Sequence, residues 1–366
     1  MALTNKRLVS LDVFRGLTIA GMIVVNTPGS WSHVYAPLRH AEWHGITPTD
    51  LIFPFFVFIV GVSITLAYTK KLKTNIAKSK ITTKIIRRSI TIFLLGIFLA
   101  LFPDFNFGEL RIAGVLQRIA ICFLVGALLF LNTDWKMQLR IGIGLLLAYW
   151  LAMILIPVPE FGAGVLEPGK NLAAWIDSLL LPGKKYQGTW DPEGILSTFP
   201  AIVTCISGML VGKLLLSNNT QNQKLIWLFA LGFLTYTLGS IWDWFFPINK
   251  NLWSSSYVLY TTGLAMMTLA TCIWFIDVLK YNYWTKFGVI FGMNAITAYV
   301  LHGVLWRLFD IPLSEGGSTF KGAFMDNLMN VGLPPNFVSL LWALFYLGLC
   351  FIPIWILYRR KIFIKV

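Results

Sequence analysis

Residues 26–50 read NTPGSWSHVYAPLRHAEWHGITPTD, and they hold His33, His40 and His44, three of the chain's four histidines, with Glu42 and Asp50 close by. Proline and glycine recur along the segment, at Pro28, Gly29, Pro37, Gly45 and Pro48, and interrupt any regular element. On either side lie apolar runs, 11–26 and 49–69, each long enough to cross a bilayer. The stretch therefore reads as a short loop pinned between two membrane helices. Imidazole is the side chain whose unperturbed pKa suits proton transfer near neutral pH, so the loop is a candidate reaction centre.

Outward from this loop the same apolar texture continues. Of 366 residues 57% are hydrophobic and only 13% charged, with a mean hydropathy of +0.70. A soluble domain carries about a quarter charged residues, so the composition predicts an all-α polytopic membrane protein. The apolar segments are continuous, not alternating, which excludes a transmembrane barrel. Ten spans are expected, at 11–26, 49–69, 85–102, 112–131, 139–156, 195–216, 225–245, 255–276, 288–306 and 337–358. The first is read as an uncleaved span, because no small-residue cleavage site follows it. The whole chain, 1–366, is expected to be one transmembrane domain with two long loops, at about 157–194 and 307–336.

An even number of spans puts both termini on one side, and the basic residues choose the side. Twenty of the thirty Lys and Arg fall in the termini and the loops that share their side, eight of them between 70 and 88. Only eight fall in the opposite loops. The positive-inside rule then places the termini in the cytoplasm and the histidine loop outside. It also accounts for the net charge of +14 without nucleic acid, for which no basic stripe interleaved with aromatics exists. The four cysteines, Cys122, Cys205, Cys272 and Cys350, sit in apolar segments with neither metal nor disulfide spacing. The loop histidines match no zinc motif, so no metal is expected, and no Gly-x-Ser-x-Gly elbow suggests a serine hydrolase.

Polar residues inside or beside the spans are the other candidates. Asp12 and Arg15 lie three apart on one face of the first span. Arg118, beside Gln117, falls about two turns inside the fourth span and should face a polar cavity or a partner. His302 follows Asn294 by two turns in the ninth span, where a hydrogen-bonded core histidine is equally admissible.

Several stretches together resemble the heparan-α-glucosaminide N-acetyltransferase family of membrane acyltransferases, its bacterial members included. They are LDVFRG (11–16), the turn at Asn26, RHAEWHG (39–45), TDLIFPFFVFI (49–59), RIAGVLQR (111–118), DPEGIL (191–196), INKNLWS (248–254), GMN (292–294) and the basic tail from Tyr358. The resemblance implies transfer of an acetyl group from cytoplasmic acetyl-CoA, as co-substrate, to a glucosamine-type amine on the far side, in a bacterial inner membrane. It carries the catalytic histidine to His40 and places Asn26 and Asp50 beside it. His44 stands where the animal enzyme has Asn. His40 would act as general base or as nucleophile, Asp50 or Glu42 would orient its ring, and Asn26 would donate to the oxyanion. Arg15 lies 11 residues from Asn26, about 16 Å along a helix, comparable to a pantetheine arm. CoA phosphates are accordingly expected among Arg15, Lys84, Arg87 and Arg88, with Arg118 or Lys250 as alternatives. Asn251, Asn294 and His302 complete the expected binding residues. The oligomeric state stays open, a homodimer included. The alternative reading, from another class, is a permease for an amino sugar or cell-wall fragment.

Overall fold

In the computed structural model, described for residues 8–74, 76–312, 317 and 319–364, helices form around the histidine loop. Lys6, Arg7 and Lys365, which enter the charge asymmetry, lie outside the described residues. The loop is preceded by α1, Val9–Asn26, and followed by α2, Ile52–Lys73. A short 3-10 turn, Pro48–Leu51, leads into α2. Then come α3 (Lys78–Leu101), α4 (Val115–Asn132), α5 (Trp135–Leu155), α6 (Leu172–Leu180), α7 (Ile195–Leu215) and α8 (Gln221–Trp242). The chain closes with α9 (Ser255–Cys272, extended by a π turn to Val278), α10 (Thr285–Met293), α11 (Ala295–Phe309), α12 (Phe320–Asn330) and α13 (Pro335–Arg359). The protein is an all-α polytopic membrane protein.

Each of the ten apolar stretches coincides with a helix, but they do not all qualify alike as spans. Among the described residues eight helices are long and apolar enough to cross a membrane: α1, α2, α4, α5, α7, α8, α9 and α13. The pair α10 and α11 makes a ninth if counted as one span, bent by 82°. The tenth stretch is α3, whose first three turns carry Lys78, Lys80, Lys84, Arg87 and Arg88, so that only its second half is apolar.

Two local departures from the expected spans have visible causes. The segment 288–306 is not straight, because Asn294 leaves the helical region at φ −124° and ψ 40°. Its side chain instead receives the tail, accepting from Ile364 N at 3.0 Å and donating to Ile362 O at 3.1 Å. The fourth helix starts at Val115 and not at 112, since Leu110 O accepts from Lys184 N (3.0 Å) and Arg111 bridges to Gly183. Arg118 consequently stands in the first turn of α4, not two turns inside it.

Small residues let α1 and its neighbours close on one another, as is usual where lipid supplies no hydrophobic drive between helices. A Cβ on Gly16 would overlap the Gly288 carbonyl, so α1 and α10 touch backbone to backbone. α1 also packs against α2 and α13, and α2 against α7. The long loops are partly helical, 157–194 through α6 and 307–336 through α12.

Candidate active site

The histidine loop is fixed at its C-terminal end by a helix start. Thr47-Pro48-Thr49-Asp50 behaves as a capping box: proline occupies the first helical position and the Asp50 carboxylate turns back to the Thr47 N–H at 3.1 Å. The same Oδ2 accepts from Ala41 N (3.0 Å), while the Thr47 hydroxyl gives its single proton to Arg39 O at 2.6 Å. The other oxygen, Oδ1, takes His40 Nδ1 at 2.6 Å. Asp50 is 1% exposed and takes three N–H donors, Thr47 N, Ala41 N and His40 Nδ1, which compensates the burial of the carboxylate. From behind, the Tyr257 hydroxyl donates to the Asp50 carbonyl at 2.6 Å, anchoring the turn to α9.

The pairing decides which nitrogen of His40 is available. With Nδ1–H donating to the carboxylate, the ring presents Nε2 as an acceptor. The His40 side chain is 38% exposed, so this face of it is reachable. Above the ring lies Lys250, its Nζ 3.0 Å from Nδ1, 3.3 Å from Nε2 and 3.6 Å from Asp50 Oδ1. Lys250 is held by a tight turn. Asn249 Oδ1 accepts from Leu252 N (2.9 Å), Ser254 N returns to Asn249 O (3.1 Å), and Trp253 takes a positive φ of 51°. Gly45 N donates to Ile248 O at 2.8 Å, joining this turn to the histidine loop. Burial pushes the Lys250 ammonium below the ordinary lysine range, while Asp50 and Glu193 pull it back.

These groups open on a cavity of about 470 Å³. Its polar end carries Asn26, His40, Asp50, Lys250, Asn251, Glu42, Arg111, Glu193, Tyr186 and Gln187. It then follows α1 from Asn26 to Thr18, about 12 Å of helix, between apolar side chains such as Met22, Phe53, Phe56 and Ile119. Asn26 is exposed, and its side-chain amide makes no hydrogen bond among the described residues. The far wall at the polar end is an ion network. Arg111 donates Nε and Nη2 to Asp191 and Nη2 again to Glu193, all at 2.6 Å. Burial raises the Asp191 carboxyl, but Arg111 outweighs it and holds it below the ordinary range. Trp43 closes the rim, donating to Leu166 O at 2.9 Å and packing edge-on to Trp190.

Of the residues expected at a site, Asn26, His40, Asp50, Lys250 and Asn251 meet here; Arg15, Arg88, Arg118, Asn294 and His302 do not line the cavity. Arg15 lies about one turn beyond its end, donating to Ser63 Oγ (2.7 Å) and Gly292 O (3.2 Å). Arg88 stacks on Phe123 at 4.8 Å. Arg118 is fully buried behind the wall, hydrogen-bonded to Ser197 and Gly194 O and 5.1 Å over Trp253. Asn294 ties down the tail, and His302 is packed between Tyr299 and Tyr346. Arg111 and Glu193 were inside recognised stretches without a role; the signal for them is a cation just before one span and two carboxylates just before another, each costly unless partnered.

A polytopic helical protein with a carboxylate-oriented histidine, a lysine and a free carboxamide around one deep cavity has the make-up of a membrane group-transfer enzyme. The comparison with known proteins gives the family: the description "Heparan-alpha-glucosaminide N-acetyltransferase, catalytic" matches residues 7–239, and the chain belongs to this family of N-acetyltransferases. It is 32% identical to the human heparan-alpha-glucosaminide N-acetyltransferase and 30% identical to the mouse protein, over 98% of its own length in both cases. The chain spans 60% of the length of either relative.

Proposed function

We propose that the protein transfers an acetyl group from acetyl-CoA to the primary amine of a glucosamine-type sugar, with His40 as general base. The observation that carries this reading is the His40–Asp50 pair at one end of a cavity that continues along α1 for about two turns. Nε2 of His40 takes a proton from the acceptor amine as its nitrogen attacks the thioester carbon. The oxygen gains negative charge, which the free Asn26 amide is placed to receive. The C–S bond then breaks and the amide leaves with the sugar. The apolar length of the cavity suits a pantetheine arm, and Trp43, Tyr186, Gln187 and Asn251 offer a sugar its aromatic and amide contacts. In this reading the histidine loop faces outward and acetyl-CoA arrives from the cytoplasm, in a bacterial plasma membrane. A permease built on helix breaks asks for paired broken helices with polar groups at midplane. One bent pair occurs among the described residues, and its break at Asn294 is occupied by residues 362–364.

The test is reconstitution in sealed vesicles, sorted by orientation, with acetyl-CoA on the side of the termini and glucosamine on the other. N-acetylglucosamine should accumulate on the glucosamine side. Uptake of unmodified glucosamine without acetylation would replace the transferase by the permease.

A further inference from the structure

Transfer to an amine requires two proton movements, and the His40–Asp50 pair accounts for one. The nitrogen must lose a proton as it becomes an amide, and the departing sulfur must gain one to leave as CoA thiol. From the position of Lys250 we infer that it is the acid that protonates the leaving thiolate, and that His40 then returns the proton to it. This rests on the transfer reaction proposed above.

The geometry supplies the donor. Lys250 lines the cavity together with His40 and Asn26, so its ammonium borders the space where the thioester carbon must lie to be reached from His40. Asp50 Oδ1, at 3.6 Å, is its carboxylate neighbour, and that oxygen is already committed at 2.6 Å to the imidazole. An ammonium has three donors, and a contact of 3.6 Å satisfies none of them well, which leaves an N–H for the cavity. The turn that carries Lys250 is fastened through Asn249, Ser254 and Gly45, so the donor is positioned before substrate arrives.

The steps balance. As the C–N bond forms, one amine proton passes to His40 Nε2. As the C–S bond breaks, its electron pair goes to sulfur, which takes a proton from Lys250 Nζ. The site then holds an imidazolium and a neutral amine whose nitrogen lies over the ring face, 3.3 Å from Nε2, and once the lysine side chain swings into line with the Nε2–H one transfer restores both. No proton is taken from or given to bulk water. The match in acidity is favourable too: a thiol titrates near 8.5, an ordinary lysine near 10.4, and burial moves Lys250 towards the thiol.

The experiment compares acetyl-CoA with its selenoester analogue, whose selenolate leaves without a proton. For Lys250→Met and Lys250→Arg, kcat with acetyl-CoA should fall by about 10² to 10⁴, with KM nearly unchanged. With the selenoester most of that loss should disappear in both variants. Arginine keeps the charge but does not release its proton, so wild-type thioester turnover in Lys250→Arg would overturn the inference. Equal losses on both donors would overturn it as well. A measurement on unaltered protein stands beside these: the solvent deuterium effect on kcat should be clear with acetyl-CoA and reduced with the selenoester, and equal effects would count against the acid. Wild-type protein inactive on either donor is the separate failure of the transfer reaction itself.

Discussion

His40 and His302 are both candidate site residues in the sequence, one in the loop between two apolar runs and the other inside such a run. In three dimensions they are opposites. His302 is buried in α11, with the rings of Tyr299 and Tyr346 at 6.4 and 5.7 Å, and its Nδ1 has no hydrogen-bond partner among the described residues. His40 is far more exposed and carries a buried carboxylate at 2.6 Å. Burial alone thus gives a histidine a packing role. What prepares one for proton transfer is a partner that fixes its tautomer, together with an opening onto a cavity.

Three substitutions test this contrast, in order of expected size. His40→Ala should lower kcat for acetyl transfer by about 10² to 10⁴ while the protein still purifies as a folded species. Full activity in that variant would remove the base and the contrast together. Asp50→Asn should cost about 10- to 100-fold, the usual range for a partner that orients a functional imidazole. An amide turned with its NH₂ towards Nδ1 favours the wrong tautomer, and one turned the other way loses the two bonds from Ala41 N and Thr47 N that close the loop onto α2. The loss should fall on kcat; a loss confined to thermal stability would mean that Asp50 is only a cap. His302→Gln should change kcat by less than about twofold, with any effect appearing as a shift in melting temperature. A loss comparable to that of His40→Ala would show that the buried histidine belongs to the reaction.

The helices were legible because hydropathy is additive along the chain: each of the ten apolar stretches is helical. Bends and starts were not, because long-range partners set them. Nothing local says that Asn294 will hold the backbone of residues 362 and 364, or that Arg111 will be drawn to Gly183 and Asp191 before α4 can begin. At the site, the meeting of Asn26, His40 and Asp50 was readable, since one loop joins them. Thr47-Pro48-Thr49-Asp50 also announces a helix start, and hence the fixed carboxylate. Lys250 could be named as a basic residue in a recognised stretch, but its place over the His40 ring depends on a turn 210 residues away. The positions of arginines beside apolar segments were not legible for a related reason. Charge predicts the need for a partner, and Arg15 and Arg118 found theirs in neighbouring helices away from the cavity.

Arg15 has a consequence for the membrane itself. It ties α1 to Ser63 of α2 and to the Gly292 carbonyl of α10, about one turn past the last residue of α1 that lines the cavity. If the protein hands an acyl group across a bilayer as proposed, it must not also conduct protons or sodium down their gradients. Arg15, ion-paired with Asp12 at 3.4 Å, pins three helices together there, and the apolar sleeve of Met22, Phe53, Phe56 and Ile119 offers water few footholds. Together they separate the cavity from the far end of α1, and in the proposed reaction that separation would let a cell keep many copies of this protein in an energised membrane without short-circuiting it.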